Sequence, residues 1–133
     1  MRQAAKNLMS TRTPLAFPRT RMSARNLEDL LYDHVFGADA PCGCLVERGA
    51  FPDGWVGHYL AILRALTEHY SGQAMLPRRV VWAVHFVSWY LPLRYDDWSG
   101  SSGKSNQHTI GELARLRTPS EIFICGSKYE AGG

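Results

Sequence analysis

The chain has 133 residues, 45% of them hydrophobic, which is enough to fill one core and too short for several domains. Three cysteines, an odd number with no apolar secretory leader ahead of them, argue against a disulfide framework and for free thiols in a cytoplasmic setting. The net charge of +3 is unevenly spread: residues 1–25 carry Arg2, Lys6, Arg12, Arg19, Arg21 and Arg25 with no acid, leaving nine basic and twelve acidic residues for 26–133.

The first segment, residues 1–25, has Pro14 and Pro18, scattered serine and threonine and no sustained apolar period. It cannot repay its ordering entropy by burial, so a disordered basic arm is expected. Three origins are open for it: an arm that binds nucleic acid or a partner, an organelle transit peptide, or an extension upstream of a start at Met22. Residues 26–127 are expected to form one helical domain and 128–133 a frayed tail.

From Asn26 the pattern turns helical. Leu27, Leu30, Leu31, His34 and Val35 fall on one face, Asn26 is placed to cap the helix, and Gly37 to end it. A second helix is predicted from about Trp55 to Tyr70, burying Tyr59, Ile62, Leu63, Leu66 and Tyr70. The stretch between them, residues 38–54, reads as one long ordered loop, well beyond the usual two to about eight residues, and such loops tend to be functional or tightly packed.

Within that loop "PCGC" raises a metal or redox question. A Cys-x-Cys pair needs further ligands, and no second pair exists; Cys42 and Cys44 are expected to fill the core edge as small apolar residues, with Gly43 permitting a turn. A disulfide between residues two apart would be strained. No metal and no cofactor is expected.

The third predicted helix, from Arg78, is apolar on nearly every side from Val80 to Leu91. It is too short for a bilayer, which takes about 20 apolar residues, and His85, Ser88 and Pro92 interrupt it. It is expected to be the central helix, kinked or stopped at Pro92, which lacks an amide hydrogen. Residues 99–106, "SGSSGKSN", read as a flexible loop. They do not make a phosphate loop, because the glycine spacing is wrong. Two short helices are predicted beyond, at about 110–117 and 119–126, from capping boxes at Thr109 with Glu112 and Thr118 with Glu121, although "EIFIC" also has strand character. The fold class that results is mainly α, a small bundle of about four to five helices.

Catalytic chemistry finds little support. His58 and His69 lie roughly 16 Å apart along one helix at about 1.5 Å per residue, so they cannot share an ion. A lone His85 in an apolar segment is more often a neutral, hydrogen-bonded residue than a base. Asp96 and Asp97 are adjacent and point apart, as expected of surface ion-pairing groups.

Aromatic density is the stronger clue. Trp82, Phe86, Trp89, Tyr90, Tyr95 and Trp98 crowd into seventeen residues, and one helix of a small bundle cannot hide them all. The expected function is therefore a non-catalytic protein-binding regulator, adaptor or subunit, with a homodimer as one form it can take. Its partner surface is placed on Tyr90, Arg94, Tyr95, Asp96, Asp97 and Trp98, with Glu47, Arg48 and Phe51 from the long loop. The alternative is nucleic-acid binding by Arg12, Arg19, Arg21 and Arg25 of the arm, aided by Arg78, Arg79, Arg115 and Arg117. A small enzyme or metal protein around His85, Cys42 and Cys44 is the weakest alternative.

Overall fold

The computed structural model describes residues 23–125; the basic segment up to Met22 and the tail from Gly126 lie outside them, and with them the expectations placed there. The described residues are helical, without strands, as the apolar periodicity implies. In chain order they form α1 (Ala24–Phe36), α2 (Pro41–Arg48), α3 (Trp55–His69), α4 (Arg78–His85), a π-helical turn (Phe86–Tyr90), α5 (Leu91–Ser102), α6 (Gln107–Ala114) and α7 (Arg117–Cys125). "EIFIC" is helical, within α7.

Four local expectations change. The connection read as one long loop holds α2: Pro41 sits in its first turn, where a missing amide hydrogen costs nothing, and Gly49 ends it in the left-handed region at φ 69°. Gly43 is thus a helical residue and makes no turn. Ser23, not Asn26, caps α1, its side chain accepting the Asn26 N–H at 3.1 Å. Asn106 caps α6 in place of the Thr109 box, and Thr118 already lies inside α7. Serines 99, 101 and 102 extend α5 rather than opening a loop, and Gly103 closes it.

Pro92 does not stop the central helix. A regular ladder would need a Pro92 N–H to reach the Ser88 carbonyl, and proline has none. The chain widens one turn instead, with Leu91 donating to the Phe86 carbonyl, five residues back. That resets the ladder so that Pro92 falls in the first turn of α5, where no donor is required. Helical backbone therefore continues from Arg78 to Ser102.

This long rod is the axis of the core. Val80, Ala83, Val84, Val87, Leu91 and Tyr95 face inward and are buried, in one cluster with Leu27, Leu31 and Val35 of α1, Tyr59, Leu63 and Leu66 of α3, and Leu116 and Phe123 from the C-terminal part. Arg79 meets Glu28 and Asp29 near the start of α1, while Trp82 and Phe86 meet Phe36 at its end, so α1 and α4 run side by side in the same direction. Glu28 also accepts from the Tyr70 hydroxyl, which ties the end of α3 to the same corner.

Two polar joints lock the packing. Trp55 Nε1 donates to the His34 carbonyl at 2.9 Å and His34 Nε2 donates to the Trp55 carbonyl at 3.1 Å, with the two rings stacked at 4.6 Å. Tyr59 and Ser120, both fully buried, share a hydroxyl hydrogen bond of 2.7 Å between α3 and α7. Burial drives the Tyr59 phenol far above its ordinary value, so it stays protonated. Tyr59→Phe and Ser120→Ala each strand one buried hydroxyl, and each should cost about 1–3 kcal/mol. Because they break the same bond, the double variant should cost less than the sum, read by urea denaturation of all four proteins; simple additivity would refute the pairing.

Candidate functional site

The outward face of the central rod is the feature that packing leaves over. Residues Trp82, Phe86 and Tyr90 form a row of rings with centroids about 6 Å apart, 6.1 Å from Trp82 to Phe86 and 5.9 Å from Phe86 to Tyr90. Leu93 continues the row, and Phe36 of α1 leans on its edge, 5.0 Å from Phe86. Trp82, Trp89 and Tyr90 are each more than 40% exposed and Leu93 62%. The widened turn is part of the reason: one extra residue in it leaves both Trp89 and Tyr90 at the surface.

Trp89 sits at the side of this ridge under a cation. The Arg117 guanidinium of α7 lies 3.7 Å from its ring centroid and is itself paired with Glu121 at 3.1 Å. Stacking of this kind fixes the indole in place at modest energy. Beyond Tyr90 the ridge opens into a depression of about 470 Å³ lined by Tyr90, Leu93, Arg94, Asp96 and Asp97.

Of the residues singled out from sequence, Tyr90, Arg94, Asp96 and Asp97 are brought together here, exposed along that depression. Tyr95 is not: it is 4% exposed, and its hydroxyl accepts the Asn106 N–H at 3.1 Å, so it is a core residue that also secures α6. Trp98 and Phe51 are half-buried and pack on the same core, Phe51 against Trp55 and Tyr95. Glu47 and Arg48 are exposed on α2, where Arg48 pairs with Asp39 at 2.9 Å. The missed contributors are Trp82, Phe86 and Trp89, which aromatic density flagged without placing them in the surface, Leu93, and Phe36 from another helix, which no local pattern in the rod could announce.

Among the basic candidates, Arg79, Arg115 and Arg117 already have carboxylate partners. Arg25 and Arg78 are exposed without an ion pair among the described residues, and Arg12, Arg19 and Arg21 lie outside them. For the thiols, Cys44 is buried and donates to the Asp39 carbonyl, Cys42 is half-buried with its thiol pushed up by burial, and Cys125 is exposed at the end of α7. Among the described residues no three metal-ligating side chains converge.

The two nearest histidines do meet, although 24 residues separate them: the His34 and His58 rings lie 5.9 Å apart. His58 Nδ1 is held by the Gly54 carbonyl at 3.0 Å, whose residue starts α3 from the left-handed region at φ 73°. Desolvation lowers the His34 pKa below 6.5, opposed by its hydrogen bond to Trp55, and the neighbouring His58 lowers it further.

None of the family models, curated proteins or solved structures compared with the chain matches it. No described helix is long and apolar enough to cross a membrane.

Because the folded state disfavours protonated His34, the stability it contributes is present above pH 6.5 and is lost as pH falls from there toward its lower folded value. The urea midpoint of the native chain should drop between pH 7 and pH 5 by more than that of His34→Gln, which keeps a donor for the Trp55 carbonyl. Equal drops would remove His34 as the cause.

Proposed function

We propose that this chain works by binding protein through the aromatic ridge of its central rod, as a regulator, adaptor or subunit in the cytoplasm. One observation carries the reading: a helix whose inner face is the core also presents Trp82, Trp89, Tyr90 and Leu93 outward. Together these expose on the order of 500 Å² of mostly apolar surface, at the upper end of the roughly 300–600 Å² of the largest patch on an ordinary monomer, where such patches are often functional. Tryptophan, tyrosine and arginine are also the residues that dominate binding energy at protein interfaces. Three free cysteines accord with a reducing compartment.

Sequence placed the surface on Tyr90, Arg94, Tyr95, Asp96, Asp97 and Trp98; the proposed ridge keeps Tyr90, adds Trp82, Trp89 and Leu93, and leaves out Tyr95 and Trp98, which are buried and half-buried. Tyr95→Ala should therefore lose about 3–5 kcal/mol of stability as a core truncation. Tyr90→Ala should change it by no more than about 0.5 kcal/mol, as a surface substitution does.

The decisive experiment is affinity capture from the native host with nuclease present, read by mass spectrometry. The full chain is compared with a chain carrying Trp82→Ala and Tyr90→Ala and with one starting at Met22. A protein retained by the full chain and by the Met22 form, and lost from the ridge variant at unchanged helical circular dichroism, is the expected result. Capture that needs residues 1–21 and vanishes with nuclease would transfer the function to the basic arm and nucleic acid.

A further inference from the structure

The charges at the two ends of the ridge narrow its occupant. Arg78 lies at the first position of the rod, exposed, one turn before Trp82. Asp96 and Asp97 lie one turn after Leu93, also exposed. The ridge therefore reads, in order, a cation, a tryptophan, stacked rings, a leucine and a net negative group in which Asp96 and Asp97 follow Arg94.

Reversed, that order matches itself. In an antiparallel pair of identical rods centred between Val87 and Ser88, position 78 stands opposite 97, 82 opposite 93, 85 opposite 90 and 86 opposite 89. Arg78 then meets Asp97 with Asp96 beside it, and Trp82 meets Leu93, the residue in the depression of about 470 Å³. A partly exposed indole on each copy faces an open hollow on the other. We infer that the ridge binds a second copy of this chain, the two central rods packing antiparallel about a two-fold axis. This rests on the reading of the ridge as a protein-binding surface.

Three further points favour a copy over a foreign partner. Arg78 sits at the positive end of its own helix dipole with no carboxylate partner among the described residues, an unfavourable placement that an opposing Asp96 and Asp97 relieve. Antiparallel rods also set their dipoles head to tail. The four apolar residues expose on the order of 500 Å², and the flanking charged groups and Phe36 add to that, against the roughly 800 Å² per partner of a standard interface. A two-fold interface requires one patch to complement itself, and this one does.

The test uses the full chain in sedimentation equilibrium from about 1 to 100 μM, a range suited to interfaces of this size. Two charge variants are compared: Arg78→Glu, and Asp96→Lys with Asp97→Lys. All three positions are exposed, and circular dichroism checks that each chain stays folded. The native chain should dimerise. Each variant alone places like charges opposite each other twice and should self-associate at least tenfold more weakly. Mixed one to one, the two variants restore an opposite-charge pair at both ends, so a heterodimer should form with near-native affinity. Trp82→Ala should also lose the dimer.

A native chain that stays monomeric throughout would overturn the second copy as occupant. The protein-binding reading would then still stand if the ridge variant loses a host protein, and would fall with it if no capture depends on the ridge. A dimer indifferent to both charge variants, or variants that fail to rescue each other, would overturn the antiparallel alignment.

Discussion

One missing hydrogen shapes the molecule. Without an amide donor on Pro92, the rod from Arg78 to Ser102 avoids a lost hydrogen bond by resetting the ladder ahead of it, and the widened turn at Phe86–Tyr90 does this. A break at the same place would have turned the chain away and divided the core between two short helices. Continuity instead gives α1, α2 and α7 a shared axis to pack on, with α3 laid against α1 and α7. It also decides which aromatic residues lie outside, because the extra residue in the turn shifts everything after it around the helix. Core and surface are thus two outcomes of the same local adjustment.

The remaining joints are specific rather than bulky. His34 and Trp55 each donate to the other's carbonyl, closing the end of α1 onto the start of α3 while the chain between them makes α2. Arg79 reaches Glu28 and Asp29 across the parallel pair of α1 and α4, and Tyr70 joins the same carboxylate. Such partly exposed ion pairs contribute little energy singly. Their value lies in fixing the alignment of helices whose apolar faces would tolerate several.

Periodicity made the fold class legible, and for good physical reason. The Leu27, Leu31, Val35 face and the Tyr59, Ile62, Leu63, Leu66 face are long repeats, and burial of just these residues follows. Short elements were harder: α2 carries two cysteines, a glycine and a proline over eight residues, a composition that resembles a turn. It is helical because Pro41 suits the first turn, Gly49 the end, and Cys44 and Leu45 have a core to enter. Capping was ambiguous for a similar reason, since Ser23, Asn26, Asn106 and Thr109 all have the chemistry and only backbone position chooses among them. The surface was half legible. Aromatic excess announced that some rings must be exposed, but which ones depends on the helical phase after Pro92. Tyr95, polar at its tip and apolar in its body, passed for a surface residue until its hydroxyl found the Asn106 amide.

The buried Tyr59–Ser120 bond joins residues 61 positions apart. On a ribosome, where residues emerge from the N-terminus onward, this bond has a timetable. By the time the central rod is out, α1 can lie against it with α3 on α1, but the Tyr59 hydroxyl still has no partner and the α7 side of the rod is still wet. Only after Phe123 has cleared the exit tunnel does the last wall of the core arrive. Until α7 emerges the nascent domain therefore keeps an open flank, the interval in which a half-built helical protein is most exposed to chaperones and to its own neighbours on the same message.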